Sequence, residues 1–225
     1  MKLNQIIEQL KTMENPARKK TNQRLNIEMD NFGVPMTKLR PMAKTLGINH
    51  ELGLELWESN QYEAMILGSM ILDAKLIGIN QANQLIQKAS HPSLVDELSL
   101  GVLRKSLDQQ RLFELWNEDE NPLIRRAAWD IAIGLILDDK YSNEQIDHLL
   151  RLIEARLVDA VEDEKWAMNR TLAEIGIHFK AYRPQVLALA EKLGVYRDMK
   201  VAKGCTSAHA PEWINAVVKR KQKDD

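Results

Sequence analysis

The sequence predicts an all-α fold in which paired helices stack along the chain. Helix-forming residues such as Leu, Ala, Ile, Glu, Lys and Gln dominate its 225 residues, whereas Gly, Pro and aromatic residues are few. Apolar residues recur with a helical period, and related helix-turn-helix segments return at intervals of about 30 to 40 residues, as in helical solenoids. No low-complexity or Pro/Gly/Ser-rich stretch divides the chain, so we expect a single domain over residues 1–225.

The predicted helices follow from the 3.6-residue period of apolar residues and from the residues that interrupt it. The first helix carries its apolar face on Leu3, Ile6 and Leu10 and ends before Asn15-Pro16. The stretch 31–35 cannot continue a helix, and Gly47 is a good C-terminal stop for the helix that precedes it. The further predicted helices span about 17–29, 36–46, 50–59, 61–75, 80–89, 92–105, 108–117, 122–137, 143–160, 164–179, 183–194 and 211–222.

Two segments look like copies of one helix-turn-helix. Leu56-Trp57-Glu58 is followed by Tyr62 to Leu67, and Leu115-Trp116-Asn117 is followed by Arg125 to Asp130. A third copy is plausible at 165–170. Stacked pairs of this kind form a curved layer of helices with one concave face, which suits a DNA duplex or another protein. Trp57, Trp116 and Trp213 follow apolar residues at helical spacing, so we expect all three in the core.

Composition excludes several classes of function. Lys plus Arg is 31 against 32 Asp plus Glu, so DNA binding must rest on local clusters rather than on net charge. No run reaches the roughly 18 apolar residues of a membrane-spanning helix, and the amphipathic start lacks the apolar core of a signal peptide, so we expect a cytoplasmic protein away from membranes. Cys205 is the single cysteine, and the histidines lack metal-ligand spacing. We therefore expect no metal and no cofactor.

Four motifs together resemble the HEAT-like DNA alkylation repair (AlkD-like) family, over nearly the whole chain. They are Asn31-Phe32-Gly33-Val34, Leu39-Arg40 with Ala43-Lys44, Arg125-Arg126-Ala127-Ala128-Trp129 and Ala167-Met168-Asn169. The tail, Lys203 to Ser207 with Ala210 to Ile214, is similar to that of one branch of the family. The resemblance implies a HEAT-like α-α superhelix with a concave face. It also implies the family's founding activity, which is hydrolysis of the N-glycosidic bond of cationic alkylated purines in DNA.

The resemblance places the catalytic aspartate of the family at Asp96. The charged base is already a good leaving group, so a carboxylate need only stabilise the developing oxocarbenium ion and orient a water. Asp96 lies in an otherwise apolar helical stretch, where an unpaired carboxylate is costly. The alternative is an ordinary acidic residue near a helix N-terminus, after Pro92 and Ser93, where the helix dipole favours acids.

The family flanks its aspartate with two tryptophans, and these positions match Pro92 and Arg170 here. An arginine cannot replace an indole as an apolar wall, but its guanidinium stacks on a sugar or base and neutralises phosphate. Alternatively, Arg170 pairs with Asp96 and quenches the charge that catalysis needs. Trp129 and Trp166 belong to the inner-helix motif and are candidates for the missing aromatic contacts.

The candidate phosphate contacts are clustered arginines and lysines. Arg126 matches a family arginine that faces the DNA backbone, and Arg125 points in a different direction, so we expect one of the pair at phosphate. Alternatively, both pair with acids such as those at 118–120. Arg40 and Lys44, one helical turn apart, form a second pair, and such clusters on successive helices predict a phosphate-tracking stripe. Further clusters are Arg18, Lys19, Lys20 and Arg24, and Arg104 with Lys105.

Two functional hypotheses follow. In the first, a monomer binds alkylated duplex DNA and hydrolyses cationic alkylpurines as a monofunctional DNA glycosylase, with Asp96 as its catalytic carboxylate. In the second, a non-catalytic relative binds DNA structures or a protein partner on the concave face. The lost tryptophan positions and the net charge of −1 are the reasons to consider the second hypothesis beside the first.

Overall fold

The computed structural model describes residues 1–138 and 140–224, and in that part of the chain the regular elements are helices, with one isolated bridge between Asp30 and Gln61. The all-α prediction is confirmed. The α-helices are α1 (Leu3–Thr12), α2 (Pro16–Arg24), α3 (Met36–Leu46), α4 (His50–Glu58), α5 (Tyr62–Ile71), α6 (Ile79–Gln87), α7 (Pro92–Gly101), α8 (Gln109–Trp116), α9 (Pro122–Leu137), α10 (Asn143–Arg156), α11 (Glu162–His178), α12 (Arg183–Leu193) and α13 (Ala210–Asp224). Short 3-10 helices lie at Ala74–Leu76 and Leu103–Lys105.

Four helices end four or more residues earlier than the apolar period predicts, and one of them, α10, stops at Arg156. Helix α2 stops at Arg24, because the chain turns through Asn26 in the left-handed region with φ 59°. Helix α5 stops at Ile71, where Leu72 takes an extended conformation. Helix α7 stops at Gly101, and the predicted remainder of that helix is a separate 3-10 turn. At the ends of α2, α5 and α7 the backbone leaves the helical conformation, which the apolar period does not predict.

The chain divides after Gln109 into two compact units, and the single domain stays a prediction. In the first unit, α5 packs between α3 and α7, and α4 lies along α5. In the second unit, α11 packs between α9 and α13, and α10 and α12 pack on the same helix. Each unit therefore contains a layer of three neighbouring helices supported by others, which is the stacked-pair arrangement expected from the repeats.

Close helix approach in the first unit depends on two glycines. A Cβ at Gly68 would lie 2.7 Å from the Gly53 carbonyl oxygen, so α4 and α5 touch through their backbones. Trp57 is fully buried beside this contact, and its indole N–H donates to the Leu85 carbonyl at 3.1 Å. Trp116 is buried in the second unit, so the core positions predicted for these two tryptophans are confirmed.

Candidate nucleic-acid interface

The Asn31-to-Val34 motif is held by one buried carboxylate. Glu63 has no exposed surface and accepts hydrogen bonds from the backbone N–H groups of Phe32, Gly33 and Val34 at 3.0, 2.7 and 3.1 Å. Gly33 has φ +71°, and a Cβ there would lie 2.5 Å from the Asn15 carbonyl oxygen. The motif therefore fixes the loop before α3 against the start of α5, which orients the cations of α3.

A hydrogen-bonded cluster joins the starts of α5 and α7. The His91 ring caps α7, with Nδ1 2.7 Å from the Ser93 hydroxyl, and Pro92 occupies the first helical position. The Tyr62 hydroxyl lies 2.7 Å from the same Ser93 oxygen. His91 Nε2 lies 2.9 Å from the Leu25 carbonyl oxygen, which only accepts, so Nε2 carries the proton and Nδ1 is the acceptor. Pro92, which the resemblance matches to a family tryptophan, thus stands at an ordered helix start.

Asp96 and Glu97 follow in the second turn of α7, and both are partly buried. Burial raises the pKa of Glu97, the neighbouring Asp96 raises it further, and the Arg40 guanidinium lowers it. Burial likewise raises the pKa of the Tyr62 hydroxyl, whereas Arg18 lowers it. The Glu97 carboxyl group therefore lies within the electrostatic reach of Arg40 of α3, and the Tyr62 hydroxyl within that of Arg18 of α2.

Five cations of α2 and α3 that the sequence singles out are exposed. Arg40 and Lys44 are both exposed, and no acidic group in the described residues lies within 4.0 Å of either. Arg18, Lys20 and Arg24 are exposed in the same way, whereas Lys19 pairs with Glu14 at 2.7 Å. We call Arg18, Lys20, Arg24, Arg40 and Lys44 the α2–α3 cation set.

Arg125 and Arg126 hold parts of the second unit together. Arg125 Nε donates to Glu164 at 2.6 Å, and its Nη1 donates to the carbonyls of Asp119 and Glu120 at 2.7 and 3.0 Å. Arg126 is buried, and its Nη1 donates to the Asp163 carbonyl at 2.8 Å. This arrangement agrees with the alternative in which these arginines serve local contacts. Contact of either one with phosphate stays a prediction.

The structure corrects one predicted aromatic contact. Trp129 has no exposed surface and packs edge to face on Phe113 at 5.6 Å, so it is a core residue of the second unit and not a surface for DNA. Trp166, in contrast, is partly exposed on α11. Arg170, one turn further along α11, is partly exposed, and its Nε lies 3.7 Å from a carboxylate oxygen of Glu174.

Sequence reasoning missed several polar residues that the structure brings together. Tyr62 and Ser93 are 31 positions apart in sequence, and no local pattern predicts the contact between their hydroxyls. His91 carried a signal, because a polar residue directly before a proline at a helix start acts as a cap. The sequence also contained a signal for Glu97, because this acidic residue stands beside Asp96 in an otherwise apolar helix.

Residues 1–138 and 140–224 form neither a metal-binding cluster nor a membrane-spanning helix. No group of three His, Cys, Asp or Glu side chains there is arranged to hold a metal ion. No helix in those ranges is long and apolar enough to cross a membrane.

Stacked helix pairs with a polar, cation-flanked edge define the chain as an all-α helical-repeat protein. Residues 6–213 match the DNA alkylation repair enzyme family, and the chain belongs to that family. A solved structure from a family of proteins related to the HEAT-like repeat DNA glycosylases, with affinity for branched DNA structures, superposes with a TM-score of 0.86 at 24% identity, covering 98% of this chain and 95% of that one. The HEAT-like fold is thereby confirmed.

A relative from the bacterium Listeria innocua covers the same length. It is the uncharacterized protein Lin0241, which is 22% identical over 227 residues, or 97% of each chain.

Proposed function

We propose that this protein binds DNA through phosphate contacts of the α2–α3 cation set and that it prefers branched DNA over a plain duplex. The observation that carries the proposal is the exposure of Arg40 and Lys44, one turn apart, with no acidic group of the described residues within 4.0 Å of either. Phosphate neutralisation by lysine and arginine supplies most of the sequence-independent affinity for DNA. Family membership over residues 6–213 supports the same function.

The preference for branched DNA is supported by the structural relative and by the aromatic residues of the first unit. That relative has affinity for branched DNA structures. In the first unit, Trp57 is fully buried, and the Tyr62 ring is buried with its hydroxyl engaged by Ser93. The first unit therefore offers phosphate contacts from α2 and α3 without an exposed indole to form a wall for a damaged base. Contacts to the backbone read the shape of DNA rather than its bases.

The test compares a four-way junction with a duplex of the same arm sequence by fluorescence anisotropy. Wild type is expected to bind the junction more tightly. The double variant R40Q/K44Q is expected to weaken binding roughly tenfold, because two phosphate contacts are lost. The matched control is K88Q/K192Q, which removes the same charge from lysines that pair with Glu58 and Glu154. Equal binding of both DNAs overturns the preference, and equal weakening by both variants overturns the assigned surface.

A second function is hydrolysis of the N-glycosidic bond of cationic alkylpurines, with Asp96 as the catalytic carboxylate. It is favoured by the two partly buried carboxyl groups of Asp96 and Glu97 in a family named for DNA alkylation repair enzymes. Asp96 would stabilise the oxocarbenium ion and orient the attacking water.

Release of free base from methylated duplex DNA tests the second function. Wild type should release base above spontaneous depurination, and Asp96→Asn should abolish this release while DNA affinity persists. Glu97→Gln is the matched control, since it removes the neighbouring charge and keeps Asp96. No release by wild type, with DNA binding intact, would leave DNA binding as the whole function.

A further inference from the structure

The second unit contains an aromatic groove that the functions above do not use. Trp166 of α11 and Trp213 of α13 line a groove of about 330 Å³ together with the segment between α12 and α13. Two apolar side chains of that segment, Met199 and Val201, are 40% and 43% exposed. The predicted core position of Trp213 therefore needs refinement, because its indole is only partly buried and forms one wall of the groove.

Hydrogen bonds and ring contacts hold the walls of this groove in place. The Tyr196 ring lies against Trp166 with centroids 5.7 Å apart, and the Tyr196 hydroxyl donates to Glu162 Oε1 at 2.7 Å. Burial and the Glu162 carboxylate raise the pKa of that hydroxyl, so it remains a donor across the physiological range. The buried amide of Asn169 donates to the Ala208 carbonyl at 2.8 Å, which ties the 195–209 segment to α11. The groove is thus largely preformed.

The charge around the groove is mainly positive. Arg220 lines it directly, and Lys200 and Lys203 are exposed in the same segment as Met199 and Val201. Lys219 and Lys221 are exposed beside Arg220 on α13. The exposed acids nearby are Asp198, Glu212 and Glu162, the last of which is bonded to the Tyr196 hydroxyl. Partly exposed indoles with a cationic rim are the features by which proteins bind unpaired bases of nucleic acids, the rings stacking on bases while the cations meet phosphates.

We propose that this groove binds an unpaired nucleobase of DNA between Trp166 and Trp213, with Arg220 at the adjoining phosphate. This inference rests on the proposed DNA binding. It adds that the part of a branched DNA bound by the second unit is an unpaired base. A volume of about 330 Å³ lies at the small end of ligand pockets and suits one or two planar bases rather than a folded partner.

The experiment compares two single-stranded probes of nine nucleotides, one of thymidines and one of abasic sites, which carry the same phosphates. Binding is followed by tryptophan fluorescence and anisotropy. Wild type should bind the thymidine probe roughly tenfold more tightly than the abasic probe, because stacking on an indole needs a base. Trp166→Leu and Trp213→Leu should abolish that difference, whereas Trp213→Phe should keep most of it.

The matched control is Tyr182→Leu, which removes a partly exposed aromatic ring of the same unit outside the groove. It should leave the preference for thymidine unchanged. Equal affinity of wild type for both probes overturns the groove as a base site, while binding of duplex and junction DNA through the α2–α3 cation set still stands. If wild type binds no DNA of any kind, the proposed function itself fails.

The alternative occupant of the groove is a segment of a protein partner. A competition experiment between a peptide and the thymidine probe distinguishes the two occupants. An unlabelled peptide of alternating Asp and Phe should displace the thymidine probe weakly. If the peptide displaces the probe at lower concentrations than free thymidine oligonucleotide does, and Trp213→Leu abolishes peptide binding, the groove is a peptide site and the inference is wrong.

Discussion

Glu63 illustrates how a single charged residue organises the first unit. A carboxylate with no exposed surface is costly unless every lone pair is used, and Glu63 accepts three backbone N–H bonds and one from the Gln61 amide. Its charge stabilises the loop that begins α3, on which Arg40 and Lys44 lie. Part of the family motif in this chain is therefore structural, although it supports the candidate interface.

Replacing Glu63 by Gln should lower the free energy of unfolding by about 2 to 4 kcal/mol, because a neutral amide accepts weakly and brings an NH₂ group against backbone donors. Urea denaturation measures this loss. Glu55→Gln, an exposed change on α4, should shift the free energy by less than about 0.5 kcal/mol. Equal effects of the two substitutions would show that the buried carboxylate does not organise the loop.

Glu97 gives a prediction for pH. Its pKa is raised by burial, so the folded state binds this proton more readily than the unfolded state does. The stability that the protonated Glu97 side chain contributes is therefore fully present at pH values below the ordinary glutamate pKa of 4.5. It is lost as the pH rises through the pKa of Glu97 in the folded state. Glu97→Gln should therefore melt at a higher temperature than wild type at pH 7, with the difference fading below pH 4.5. A difference that grows on acidification would contradict this assignment.

At the scale of elements, helix starts were more predictable from the sequence than helix ends. Pro16, Pro92 and Pro122 stand in the first turns of α2, α7 and α9, and each is preceded by a capping side chain. The ends after Arg24 and Ile71 depend on tertiary packing, so periodicity alone placed them several residues too late. Local signals act within one turn, whereas packing acts between elements.

The contact between α4 and α5 yields a prediction of element packing. Gly68→Ala should destabilise the protein by about 1 to 3 kcal/mol, because the added Cβ meets the backbone oxygen of Gly53, which cannot move without its helix. Gly101→Ala is the control, since nothing lies within 4 Å of a Cβ there. Thermal unfolding measures both. A neutral Gly68→Ala would show that the two helices separate easily.

At the scale of the whole molecule, the repeats and motifs predicted the fold class and the family, whereas the sites needed the structure. The helical period is local, so it survives in a single sequence. The clusters are not local: Tyr62 meets Ser93 from 31 residues away, and Trp166 and Trp213 line one groove from different helices. The predicted contact at Trp129 failed because inner-helix residues face both core and surface, and a shift of one residue turns a side chain by about 100°.

The net charge of −1 makes the salt dependence of binding the sharpest test of local clustering. The affinity for duplex DNA should fall with salt on a log–log plot, with a slope of roughly −0.9 for each neutralised phosphate. R40Q/K44Q should reduce the magnitude of that slope by roughly 1.8, the value for two lost contacts. K88Q/K192Q changes the net charge equally, so an identical reduction there would mean that overall charge, and not the α2–α3 cation set, governs binding.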